Sequence, residues 1–390
     1  MRSNFLPFSP PLIGQEEIDE VVDTLRSGWL TTGPKTARFE REFAKQFRAP
    51  GALALNSCTA GLHTALVALG IGAGDEVITT CMTFAASVNV IEHAQARPVL
   101  VDIEPDTLNL DHVAVERAIT PRTKAIIAVH FAGHPVNLDA INAIAKKHKL
   151  SVIEDAAHAV GAKYKNRWIG SGTNPTAFSF YATKNMTTGE GGMLTGDEEL
   201  ITQSRIVSLH GMSREAWRRY QQGGSWRYDV VLPGFKYNMM DLQASLGLCQ
   251  LRRLPEIQRR RKGIADAYSR AFCELDEIEI PTSRPDVLHA WHLYVIRLRP
   301  GTMSIGRDQF VDELTNRNIG TSVHFIPIHL HPYYRNKYGY RDANFPVALE
   351  NFERMLSLPL NPTMTDSDVA DVIEAVADIT KQSRALTRAA

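Results

Sequence analysis

Lys184 and Asp155 are the residues whose types and settings could do chemistry together. The segment Phe178-Ser179-Phe180-Tyr181-Ala182 alternates apolar and polar side chains, which predicts a strand that delivers Lys184 to its C-terminal end. Upstream, Leu150-Ser151-Val152-Ile153-Glu154-Asp155 is a largely apolar run that stops on carboxylates. In an open α/β sheet the strand C-termini frame the ligand crevice. A lysine and an aspartate delivered there are the pair that pyridoxal phosphate chemistry requires. The amine forms a Schiff base with the cofactor's aldehyde, and the carboxylate keeps the pyridine nitrogen protonated so that the ring accepts electrons. Taken singly, a lysine after a strand is an ordinary surface residue and an aspartate an ordinary helix cap.

The elements that must position this pair follow a repeating order. Residues 15–27 and 36–47 read as amphipathic helices, 52–55 as a strand, and 60–69 as a helix with Leu62, Ala65, Leu66 and Leu69 on one face. A strand begins at 76–78, and those at 98–102 and 125–129 are continuously apolar, as buried parallel sheets demand. Helical patterns fill 84–94, 111–119 and 137–148, and a strand at 193–195 closes the region. Strands alternating with helices predict an α/β fold with a mainly parallel sheet. The stretch from Gly211 to Gly234 lacks periodicity and reads as an irregular excursion. A long helix over 239–271 then leads to strands over 291–298 and helices at 307–317 and 365–379. The division expected is a large domain over 1–250 and a C-terminal domain over 251–390 entered by the connecting helix.

Asn56-Ser57-Cys58-Thr59-Ala60-Gly61 lies between a strand and a helix, where free backbone amides and the helix dipole favour a phosphate dianion. Thr59 and Ser57 add hydroxyls, although either could simply cap the helix. Ser179 is a further phosphate donor; on a strand it shares a side with Tyr181 and Thr183. A planar pyridine ring wants a flat group on each face, which Phe84 and His158 could supply; the alternatives are a core phenylalanine and a capping histidine. Gly28 to Thr36 imitates a Walker loop with one residue inserted, but Pro34 removes a donor and the segment follows a helix. Arg259-Arg260-Arg261-Lys262 reads as a solvated or subunit-facing surface. The histidines of His324-Phe325-Ile326-Pro327-Ile328-His329-Leu330-His331 lack cysteine or carboxylate partners at metal-ligand spacing, so no metal is expected, and His329 reads better as part of a polar substrate pocket.

Composition limits the partners. Across 390 residues Lys plus Arg and Asp plus Glu balance at 43 each, which offers no basic field for nucleic acid or an anionic membrane. Hydrophobic content of 44% and charged content of 22% are ordinary for a globular protein. The 4 cysteines form no CxxC pair, and no apolar run suits a signal peptide or a membrane span, so a cytoplasmic location is expected.

In order along nearly the whole chain, the motifs resemble the DegT/DnrJ-type sugar aminotransferases, a branch of fold-type I pyridoxal phosphate enzymes. The residues that carry this are Ser27-Gly28-Trp29-Leu30-Thr31-Thr32-Gly33-Pro34, Asn56-Ser57-Cys58-Thr59-Ala60, Gly74-Asp75-Glu76-Val77-Ile78, Glu154-Asp155-Ala156-Ala157-His158 and Thr183-Lys184-Asn185. Gly189-Glu190-Gly191-Gly192, Pro233-Gly234-Phe235-Lys236-Tyr237-Asn238 and His324-Phe325-Ile326-Pro327-Ile328-His329 follow.

The resemblance implies a seven-stranded, mainly parallel sheet between helices with a smaller α+β C-terminal domain. It makes Lys184 the cofactor's attachment point and proton shuttle, Asp155 the partner of the pyridine nitrogen, and His158 a ring lying against the cofactor. Cys58 (through its backbone), Thr59 and Ser179 would hold the phosphate, and Thr31 and His329 would meet substrate. Asn238 would reach the phosphate bound by the neighbouring subunit, which implies a homodimer with a shared site. The segments His289 to Tyr294 and Ile326 to Tyr334 are similar to members that aminate C4 of UDP-linked keto sugars with L-glutamate as donor. Members with histidine in place of the lysine are sugar dehydratases, and Lys184 argues against that reading. Amination or dehydration of another sugar or a cyclitol, and a non-catalytic sensor on the same fold, are the alternatives.

Overall fold

The computed structural model describes residues 2–213 and 227–384. The middle of the stretch read as irregular, residues 214–226, lies outside them.

Helices α1 (Gln15–Ser27) and α2 (Pro34–Phe47) precede the sheet. Phe39, Phe43 and Phe47 recur every fourth residue on one face of α2 and are fully buried. The donors at the start of α2 are satisfied from afar: the Asp241 carboxylate accepts from the amides of Gly33, Lys35 and Thr36 and from the Thr36 hydroxyl. In the Walker-like segment the amides at the helix start are therefore already engaged by a carboxylate.

The sheet region then runs β1 (Gly51–Leu55), α3 (Cys58–Ala68), β2 (Glu76–Thr80), α4 (Ala86–His93), β3 (Arg97–Val101), α5 (His112–Ala118), β4 (Thr123–Val129), α6 (Leu138–His148) and β5 (Ser151–Asp155). A short hairpin, β6 (Lys163–Tyr164) and β7 (Arg167–Trp168), comes before β8 (Thr176–Ser179), β9 (Gly192–Gly196) and α7 (Glu198–Val207). The seven-stranded sheet has the order β1-β9-β8-β5-β4-β2-β3. Its pairs are parallel except for those of β9, which runs against both β1 and β8. The expected mainly parallel α/β sheet is what the chain forms. Phe178 and Phe180 from the β8 region pack into the α2 phenylalanines, with ring centroids 5.2 Å and 5.8 Å from Phe43.

Boundaries differ where local pattern and tertiary pairing disagree. The strand expected over 178–182 ends at Ser179, because the chain turns there and the Lys184 amide donates to the Tyr181 carbonyl at 2.9 Å. Ser179 therefore does not share a strand face with Tyr181 and Thr183. Helix α3 begins at Cys58, two residues before the expected start, since the Ser57 hydroxyl caps the amide of Ala60. The strand expected from Trp291 begins at Tyr294, Trp291 itself being left-handed at φ 48°.

Helix α8 (Asp241–Phe272) crosses to the C-terminal region, where β10 (Ile278–Glu279), β11 (Val287–Leu288), β12 (Tyr294–Leu298), α9 (Arg307–Asn316), α10 (Pro332–Tyr338), α11 (Pro346–Arg354), β13 (Met355–Leu358) and α12 (Asp366–Gln382) follow. Strands β10, β12 and β13 form an antiparallel sheet, and β11 joins the β6–β7 hairpin. Leu248, Leu251 and Leu254 of α8 belong to the core under the large sheet, whereas Ile264, Tyr268 and Phe272 belong to a second core with Phe310, Leu356 and Val372. One helix thus serves two hydrophobic cores. No helix among the described residues is long and apolar enough to cross a membrane.

Candidate active site

Strands β5 and β8 are parallel neighbours, with Asp155 opposite Ala177. This pairing brings the end of β5 beside the turn that carries Lys184. Asp155 is buried: its Oδ2 accepts from the Ser87 hydroxyl at 2.7 Å and its Oδ1 from the Ala157 amide at 3.1 Å. The Cys58 thiol donates to the Ala177 carbonyl at 3.4 Å and lies 3.8 Å from Asp155 Oδ1. Burial and the neighbouring carboxylate hold that thiol protonated.

Lys184 is half-buried, and its pKa is pushed down to about 8. Desolvation is the main cause, opposed by Cys58 and Asp155 and reinforced by the cation of Arg261. Three imidazoles also feel its charge: His158, His292 and His324. Burial keeps all of them neutral near pH 7, with His158 and His292 well below their usual range and His324 at about 4.

Their hydrogen bonds fix how these rings sit. The Ala132 amide donates to His158 Nδ1 at 3.2 Å, so the neutral ring carries its proton on Nε2. The Ala132 carbonyl accepts from the amides of His292 and Leu293, at 3.0 Å and 3.2 Å. Ala132 holds these bonds in a left-handed conformation, φ 56°, which costs a residue with a Cβ about 1 kcal/mol or more. The result is a pair of rings, His158 and His292, with centroids 4.3 Å apart. His292 Nδ1 lies 3.1 Å from the side-chain oxygen of Asn185, the residue after Lys184, whose amide nitrogen donates to the Ala290 carbonyl at 2.7 Å. His324 stacks on Phe8 and lies 2.9 Å from the Ser357 hydroxyl.

The remaining candidates fall into place unevenly. With Ser57 capping α3, the amides of Cys58 and Thr59 have no acceptor within the helix. Gly192, the cross-strand partner of Ser179, presses against the Ser57–Cys58 backbone so closely that an added Cβ would come within 2.5 Å. Ser179 is thus paired with the residue that abuts the start of α3. Phe84 is 63% exposed and 6.0 Å from Phe325, whose ring stacks on His158 at 5.6 Å. Asn238 pairs with Leu55 in a bridge, and its side chain donates to the Thr32 hydroxyl at 2.7 Å. Thr31 is exposed in the neighbouring loop and gives its carbonyl to the Asp241 amide. His329 is buried against Phe345, with neither ring nitrogen hydrogen-bonded, and shares no hydrogen bond or ring contact with the Lys184 group.

Sequence reasoning gave no role to Ser87 or Ala132, and cited Asn185 and His292 only as parts of longer motifs. Each acts through a partner distant in the chain. Among the described residues no group of three or more His, Cys, Asp or Glu could hold a metal ion.

The donor set fits pyridoxal phosphate. It combines a lysine that loses its proton readily, a buried carboxylate, and a helix N-terminus with unspent amides.

Comparison with known proteins gives the same assignment. The sequence profile of the DegT/DnrJ/EryC1/StrS aminotransferase family matches residues 11–377. The spore coat polysaccharide biosynthesis protein SpsC of Bacillus subtilis (strain 168) is 55% identical over 382 residues, covering 97% of this chain and 98% of that protein. Spr1654 of Streptococcus pneumoniae, described as a candidate sugar aminotransferase, superposes in its PMP form with a TM-score of 0.91 at 39% identity, over 97% of this chain and 99% of that one. Its PLP form superposes with a TM-score of 0.90 at 38% identity, over the same shares of the two chains.

Proposed function

This chain belongs to the DegT/DnrJ/EryC1/StrS aminotransferase family, and on that premise we propose that it moves an amino group from L-glutamate to the C4 ketone of a UDP-linked sugar. It is a pyridoxal-phosphate-dependent sugar aminotransferase of fold type I. The donor, the nucleotide and the ring position are the proposal. The observation that supports transamination itself is Lys184, held near pKa 8 at the strand ends beside Asp155; the finer choices rest on the resemblance of the segments His289 to Tyr294 and Ile326 to Tyr334.

Bound pyridoxal phosphate supplies an aldehyde for the amine and a ring that accepts electrons. Lys184 provides the amine that holds the cofactor and afterwards takes and returns a proton, which requires its neutral form; a pKa near 8 leaves a useful neutral fraction at physiological pH. Asp155 holds the proton on the pyridine nitrogen, with Ser87 and the Ala157 amide fixing its orientation. His158, neutral and immobilised by Ala132, offers a flat apolar face to the ring, and Phe84 covers it from the rim. The amides of Cys58 and Thr59 and the hydroxyls of Thr59 and Ser179 hold the phosphate. Thr31, exposed in the loop beside Asn238, contacts substrate, whereas His329, buried against Phe345, does not take the substrate role read from the sequence.

We further propose a cytoplasmic homodimer in which Asn238 reaches the phosphate held by the neighbouring subunit. The support is a set of exposed apolar side chains on the segments around it: Trp29, Leu30, Val230, Val231 and Met240. The boundary between a large domain and a C-terminal domain is placed near residue 250, inside α8. The likeness to SpsC supports an amino sugar destined for a polysaccharide.

The test is the visible absorption spectrum of the purified protein. L-glutamate should bleach the cofactor band and a UDP-4-keto sugar should restore it. A band indifferent to glutamate overturns the donor, and restoration only by a keto sugar on another nucleotide overturns the UDP assignment. Loss of water from the sugar without amination would establish the dehydratase alternative.

A further inference from the structure

The basic run Arg259-Arg260-Arg261-Lys262, read from sequence as a charged surface, is divided by the fold. Arg260 pairs with Asp366 and Lys262 with Asp266, both toward solvent. Arg261 is only 1% exposed, which corrects the surface reading for this residue. The helical period turns it inward, onto the face of α8 that also buries Ile257 and Ile264.

No carboxylate pairs with Arg261 among the described residues. Its Nη1 donates to the carbonyls of Leu360 at 2.8 Å and of Trp291 and His292 at 3.3 Å each, and its Nε has no partner. Burying a guanidinium without a counter-charge is costly even after relaxation. An apolar residue on α8 would fill the position more cheaply.

One of the carbonyls it holds belongs to His292, whose ring meets the residue after the lysine. His292 donates its amide to Ala132 and its Nδ1 proton to Asn185, which is bonded back to Ala290 and follows Lys184 in the chain. We infer that Arg261 is a positioning residue for Lys184: it clamps the His292–Asn185 pair beside the lysine and places a buried positive charge in its surroundings. The inference rests on the role proposed above for Lys184.

The charge balance around the lysine gives this clamp its effect. The titratable groups facing Lys184 are Cys58, Asp155, His158, His292, His324 and Arg261. Cys58 stays a thiol and the histidines stay neutral, so Asp155 is the anion and Arg261 the competing cation. Burial lowers the Arg261 pKa only to about 9, so it remains charged at neutral pH. A second cation at Lys184 is thereby disfavoured, which keeps the amine ready to accept a proton.

Arg261→Met removes the clamp and the charge together, and Arg261→Lys leaves a single, less basic donor group. In the cofactor-free protein, the pH midpoint of Lys184 acylation by acetic anhydride is followed by peptide mass spectrometry; in the holoenzyme, kcat and KM for the keto sugar are measured. The Met variant should move the midpoint upward and lower kcat about fivefold or more, with KM changed less than about twofold. The Lys variant should place the midpoint between those of wild type and the Met variant, because burial strips a proton from an ammonium more readily than from a guanidinium, and kcat should fall, because one ammonium cannot span three divergent carbonyls. A wild-type midpoint in the Met variant overturns the inference whatever kcat does. Should Arg261→Met not fold, Arg261→Gln keeps donors but no charge and reads the same midpoint. The labelling needs no substrate, so failure of the proposed sugar amination leaves this result readable on its own.

Discussion

The Ser87 hydroxyl donates to Asp155 Oδ2 at 2.7 Å, tying the first turn of α4 to the end of β5. The Thr83 hydroxyl lies 2.7 Å from Ser87 in turn, so the carboxylate is oriented by a short buried chain. A hydrogen bond to a charged group is worth about 1.5–3 kcal/mol. Ser87→Ala should therefore lower kcat about tenfold or more while shifting the melting temperature by a few degrees at most. An unchanged kcat would mean that the orientation of Asp155 does not depend on this bond.

Lys184→Ala removes both the attachment point and the proton carrier. Turnover should fall by about 10²–10⁴-fold or more, the range for losing a positioned acid–base group, and the cofactor should come away on dialysis. Retained transamination at the wild-type rate would sink the assignment.

The pH dependence has a definite sign. Lys184 titrates at about 8 in the folded protein against an ordinary 10.5. Between those values the unfolded chain binds the extra proton, so the cofactor-free protein should gain stability as pH rises across that window; the cost of charging the lysine is fully present below it. Cofactor uptake should speed up over the lower part of the same range, because only the neutral amine attacks an aldehyde. Urea titrations of wild type and Lys184→Met at both ends of the window check this, and parallel curves would contradict it.

Phe43 sits among Phe39, Phe47, Phe178 and Phe180, with the Phe47 ring only 4.5 Å away. It locks α2 onto the strand that leads to Lys184. Phe43→Ala should cost about 3–5 kcal/mol from lost burial and the cavity left behind. Chemical denaturation measures that loss; a cost near zero would mean that the cluster closes around the gap.

What the sequence determined by itself is the chemistry carried in contiguous segments. Asp155 ends an apolar strand, Cys58 and Thr59 begin a helix after one, and Lys184 follows a strand, so each lies where an α/β sheet opens to a ligand. These placements need only periodicity and the rule that the crevice lies at strand C-termini. The tertiary structure decided which residues converge on those ends. Ser87 meets Asp155 across 68 positions of the chain, and the His292 ring meets Asn185 across 107. Nothing local distinguishes Ser87 from any serine early in a helix, and the helical period that turns Arg261 inward does not say what it meets. Strand order and the crossing of α8 decide that it meets three carbonyls, while His329 settles against Phe345. Local pattern follows the backbone's own period, whereas burial and charge balance depend on which surfaces meet, and that is set by the packing of the whole chain.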